Sequence, residues 1–138
     1  MESVLTFIGG LGIGSVITTL VNKWLEARTE RARWLRDRRH AAYSALAKEL
    51  LSMSAWSGGA VGMEEGKKVA ADAVLLTDEA TLADRISAYF DAVEEARVRV
   101  QKFAAGSEEW KRANGNEYDT LRQAAGEIVE AMRQRVLR

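Results

Sequence analysis

SVLTFIGGLGIGSVITTLVN, Ser3 to Asn22, is a run of twenty residues without an ionisable side chain. Twenty helical residues span about 30 Å, the thickness of a bilayer's hydrocarbon core. The stretch therefore reads as a transmembrane helix. Acidic Glu2 precedes it and basic residues follow it, the reverse of a cleaved secretory signal. Lys23, Arg28, Arg31, Arg33, Arg36, Arg38 and Arg39 lie where the positive-inside bias acts. They place the N-terminus outside and the rest of the chain in the cytoplasm, and a bacterial plasma membrane is the expected location. Trp24 falls at headgroup level.

Two other readings compete for this stretch. Gly10, Gly12 and Ser15 nearly fit a dinucleotide-binding glycine loop, but no second strand with an acidic end follows. A buried helix of a soluble bundle would carry Gly9, Gly10, Gly12 and Gly14 at about 1 kcal/mol each, whereas membrane helices tolerate glycine better. Within the run, Thr6, Gly10, Gly14, Thr18 and Asn22 recur every fourth residue. This small or polar ridge suits close helix–helix association in a membrane and predicts a homo-oligomer.

Outward from the anchor, charge is unevenly placed. Residues 23–39 carry net +4 and residues 40–138 net −3, although the whole 138-residue chain is neutral. Lys23, Trp24, Arg28 and Arg31 are expected at the interface with anionic lipid, where each cation adds roughly 1 kcal/mol of attraction. From Lys23 to Trp56 there is neither glycine nor proline, and Leu25, Ala32, Leu35, Ala42, Leu46, Leu50 and Met53 keep a helical stripe. With the anchor, this predicts one helix of about fifty residues, about 80 Å long. The four glycines of SGGAVGMEEG, 57–66, predict a flexible connection.

Residues 67–76 read as a short helix, with a strand at VLL as the alternative. Thr77 or Asp78 is placed to cap a helix over 79–104 whose apolar face is Leu82, Ile86, Tyr89, Phe90, Val93, Val100 and Phe103. Gly106 suits the left-handed position that ends it. Ser107 starts another turn around Trp110, interrupted at Asn114-Gly115. A last helix over 117–137 presents Tyr118, Leu121, Ala125, Ile128, Met132 and Val136. The fold class is all-α. It comprises an anchor (1–25), a basic juxtamembrane helix (26–56), the glycine-rich connection (57–66) and a cytoplasmic helical bundle (67–138), in which the long helix packs antiparallel with two or three others.

The apolar run to Val21, followed by Trp34, Arg38, Arg39, Ala42 and Tyr43, resembles a broad group of small bacterial membrane proteins frequent in actinobacteria and their phages. The likeness covers about the first fifty residues. It implies a membrane-anchored accessory protein in phage exclusion, immunity or defence, and supplies no catalytic residues.

Composition narrows the chemistry. Zero cysteines remove thiolate sites, and one histidine leaves no metal cluster and no second histidine base. No metal, cofactor, small-molecule substrate or nucleic acid is expected, and the protein is read as a non-enzyme with membrane lipid, its own copies and an unidentified protein as partners. One enzymatic pattern remains. Arg33 and His40, with six residues between them, match at its upper limit the Arg-x(4 to 6)-His motif of HEPN-like helical ribonucleases, but Trp34 stands where a polar residue usually follows the arginine. The function expected from sequence is a self-associating membrane-anchored interaction protein. A pore or holin-like effector and a membrane-tethered ribonuclease are the alternatives.

Overall fold

A computed structural model describes residues 14–137, and every long regular element among them is an α-helix, with no strand. The elements are α1 (Gly14–Ser52), α2 (Ser54–Ser57), α3 (Gly59–Leu76), α4 (Ala80–Val100) and α5 (Glu108–Leu137). The chain divides into two units, one ending at Asp37 and one beginning at Arg38. In the first unit, residues 16–37 are exposed on every face of α1. Of the expected stripe, Leu25, Ala32 and Leu35 are uncovered there.

The second unit is a helical bundle. Arg39 and Tyr43 of α1 bond the far end of α3 at Leu76 O (2.8 Å) and Thr77 Oγ1 (2.7 Å). Lys67 of α3 pairs with Glu94 of α4 at 2.5 Å, and Arg99 of α4 with Glu117 of α5 at 2.6 Å. His40 and Ala47 of α1 share a recess with Leu137 and Val129 of α5. These pairings run antiparallel around the four long helices, as the sequence predicts. The core is apolar: Leu46, Leu50, Ile86 and Val93 are its largest fully enclosed side chains, with Leu121, Ala125, Ile128 and Met132 from α5. Every apolar position expected on α4 is buried except Phe103, which is 39% exposed because α4 ends at Val100 rather than 104.

The glycine-rich segment departs most from expectation. The chain breaks earlier, at Met53, which takes the left-handed conformation (φ 56°, ψ 27°), and after the single turn of α2 the long helix α3 begins at Gly59. The expected connection over 57–66 is thus mostly the first turns of α3. The reason is steric. A Cβ on Gly62 would sit 1.9 Å from Ser54 O, and one on Gly66 would sit 2.9 Å from Phe90 Cε1. Glycine is needed there for close approach rather than for freedom, and packing outweighs its weak helix propensity. Residues 67–76 complete α3 as helix.

Three smaller readings are also corrected. Neither Thr77 nor Asp78 caps α4, whose preceding residue Glu79 has no side-chain cap; Thr77 Oγ1 instead accepts from Glu79 N at 3.3 Å. Gly106 is left-handed (φ 81°), but it lies in the turn after α4, beyond the helix end. Ser107 does start α5, accepting from Trp110 N at 3.1 Å, and the helix then runs through Asn114-Gly115 without interruption. Its buried face alone outweighs the cost of one glycine, about 1 kcal/mol.

No helix among the described residues is long and apolar enough to cross a membrane. Of the span Ser3 to Asn22, the part before Gly14 lies outside the described residues.

Candidate functional site

Two regions carry chemistry, and each belongs to one unit. In the first unit, Trp24, Ala27, Arg28 and Arg31 line one side of α1, as their three- and four-residue spacings require. The Arg28 guanidinium stands over the Trp24 ring, 5.4 Å from its centroid. A cation held on an indole face is attracted by the ring quadrupole. Lys23, Trp24, Arg28 and Arg31, the residues expected at a membrane interface, are all exposed. Of the expected ridge, Thr6 and Gly10 lie outside the described residues, Gly14 opens α1, and Thr18 and Asn22 are exposed on it.

In the second unit, His40 is half-buried in a recess of about 340 Å³ between α1 and α5, lined also by Tyr43, Ala47, Met132, Arg133 and Val136. Arg33, the other half of the ribonuclease-like pair, is an exposed residue of the first unit. Among the described residues no carboxylate lines this recess to orient the imidazole. Arg133 is engaged by Glu130 through two hydrogen bonds of 3.0 Å, which holds the Glu130 carboxyl below its ordinary range.

The other perturbed groups are also structural. A hydrogen bond from Arg135 keeps Asp78 below the usual carboxylate range, and one from Arg99 does the same for Glu117. Both are therefore held ionised, the wrong state for a general acid at neutral pH. Burial pushes the Tyr89 phenol up to about 12; its hydroxyl donates to Met53 Sδ at 3.7 Å, against the left-handed corner. Among the described residues no three His, Asp or Glu side chains come together as a metal group. No family model, curated protein or solved structure matches the chain.

One feature of the second unit escapes the sequence altogether. Arg97, in the basic last turn of α4, is half-buried, and its Nη2 donates to Ala55 O at 2.7 Å and Gly59 O at 3.3 Å, fastening α4 to the corner between α1 and α3. Beside it opens a recess of about 460 Å³ with Trp56, Gln101, Trp110, Asn114 and Tyr118 in its walls. The spacing of Trp110, Asn114 and Tyr118 marks one face of a helix, but their meeting with Trp56 and Arg97 depends on tertiary packing.

Proposed function

We propose that the protein is a membrane-anchored, self-associating helical interaction protein, held in a bacterial plasma membrane with its bundle in the cytoplasm. One observation carries the reading: Val16, Ile17, Leu20, Val21, Trp24 and Leu25 are all exposed on α1, directly beside the basic surface of Arg28 and Arg31. Large apolar side chains with nothing of their own unit over them need a cover, and an uncharged run followed by tryptophan and arginine is chemically suited to a bilayer and its headgroups. The small-residue ridge through Gly10 and Gly14 supplies a route to self-association in hydrocarbon. The resemblance of the first fifty residues extends the proposal to phage exclusion, immunity or defence. Among the described residues no carboxylate lines the recess at His40 and Arg33 is not one of its lining residues, which favours binding over catalysis.

Alkaline extraction of bacterial membranes tests the anchor. The full chain should stay with the lipid, and removal of residues 1–22 should release a soluble helical protein. A reporter active only in the cytoplasm should work when fused after Arg138. Recovery of the full chain in the soluble fraction without detergent would overturn the proposal.

A further inference from the structure

The recess beside Arg97 points to a ligand that the membrane reading does not use. Its walls come from three places: Trp56 at the corner, Arg97 on α4 with Gln101 just past its end, and Trp110, Asn114 and Tyr118 at four-residue spacing on α5. At about 460 Å³ it falls within the usual range for small-molecule sites, about 300 to 1,000 Å³. Its composition is specific. Two indoles and a phenol offer flat apolar surfaces, two carboxamides offer paired donors and acceptors, and one guanidinium supplies positive charge.

The polar groups are also available. Only Nη2 of Arg97 is used by the corner carbonyls, and no hydrogen bond occupies the Gln101, Asn114 or Tyr118 side chains among the described residues. No carboxylate lines the recess. That absence disfavours a quaternary ammonium, which Arg97 would repel, and removes the acidic acceptors that suit sugar hydroxyls. A planar heteroaromatic ring with an anionic group satisfies all three kinds of wall: aromatic side chains stack on a base, carboxamides read its donor and acceptor edge, and guanidinium meets phosphate. A nucleic-acid strand would need a basic track for successive phosphates, whereas this lining holds one cation. We propose that the recess between the α2 corner, α4 and α5 binds a free mononucleotide, its base against Trp56, Trp110 and Tyr118 and its phosphate toward Arg97.

The test is calorimetric titration of the full chain with AMP, GMP, CMP and UMP, with tryptophan fluorescence as a second readout. At least one should bind saturably, one per chain, and quench the indole emission. Trp110→Ala and Asn114→Ala should each weaken binding about tenfold, the size expected for loss of one stacked ring or one bidentate contact. Trp110→Phe, which keeps a ring, should retain most of it, and Leu75→Ala, on exposed α3 surface, should change nothing. Far-UV circular dichroism checks that each variant is folded; Asn114 makes no hydrogen bond whose loss would unfold α5, so that variant keeps the test decisive. Four results would each overturn the proposal: no saturable binding of any of the four at millimolar concentration, undiminished binding in both folded alanine variants, equal binding of choline or N-acetylglucosamine, or far tighter binding of a ten-residue oligoadenylate than of AMP.

Discussion

Replacing Gly62 by alanine adds one methyl group at the closest approach found at any glycine among the described residues. The new Cβ would lie 1.9 Å from Ser54 O and 2.9 Å from Ser54 C, where ordinary contact begins at 3.4 Å, so the two backbones must separate by about 1.5 Å (3.4 less 1.9). No rotamer change relieves it, because the obstructing atom is main chain. Overpacking of this kind costs roughly 1–3 kcal/mol, and the gain in helix propensity returns only about 0.5–1 kcal/mol. Because main chain must move, the upper end applies, and a net loss of about 2 kcal/mol is expected. For a chain of this size that lowers Tm by roughly 6–10 °C. The matched control is Gly115→Ala in α5, where nothing lies within 4 Å of the added carbon; it should gain about 0.5–1 kcal/mol and melt a few degrees higher. Thermal unfolding followed at 222 nm measures both in the same buffer. If Gly62→Ala melts at or above the parent temperature, the glycine seam is not a close backbone contact and the account of α3 fails.

The acid limb of stability should depend on Asp78. Its folded pKa is depressed by the hydrogen bond from Arg135, so its contribution is present above the unfolded carboxylate value and lost as pH falls through the folded one. Asp78→Asn should therefore leave less stability to lose below about pH 4, flattening that part of the Tm-against-pH curve; an unchanged slope would mean the ion pair does not form. His40→Ala should retain folding and any cellular activity, with a stability change within about 1 kcal/mol, because the imidazole is only half-buried and no carboxylate lines its recess. Activity lost in a folded, assembled variant would revive the ribonuclease pattern.

How far the sequence disclosed this architecture depended on which force ruled each segment. On α4 and α5, apolar side chains recur at helical spacing and pack as that spacing demands, so Leu82 to Val100 and Leu121 to Met132 were legible. The glycines at 58, 62 and 66 were misread because propensity speaks of a helix in water, whereas these face a neighbouring backbone or ring. Helix boundaries at Met53 and Val100 were missed for a related reason. A left-handed methionine is locally unfavourable, and its burial (2% exposed) against Tyr89, with the bonds its carbonyl accepts from Trp56 N, Ser57 N and Ser57 Oγ, offsets that cost. The recess around Arg97 left no trace in the sequence, since its residues come from positions 56 to 118 and each looks ordinary in its own helix.

The all-apolar core gives the notch at Gly66 a further significance. Among the described residues no charged side chain is buried, and the contacts that tie α3 to α4, Arg97 to Gly59 O and Lys67 to Glu94, lie at the partly buried or exposed edge of the core. Leucines and alanines tolerate sliding, because their contacts are interchangeable from turn to turn. The edge of Phe90 is not interchangeable: it enters the chain at Gly66, where even a methyl would stand 2.9 Å away, and a slip of one turn toward the C-terminal end of α3 would bring Ala70 and its methyl to that edge. The pair thus works as a ratchet tooth, refusing the slip that would bring Ala70 to Phe90. Inside the core, shape adds to the register that Arg97 and Lys67 set at its edge.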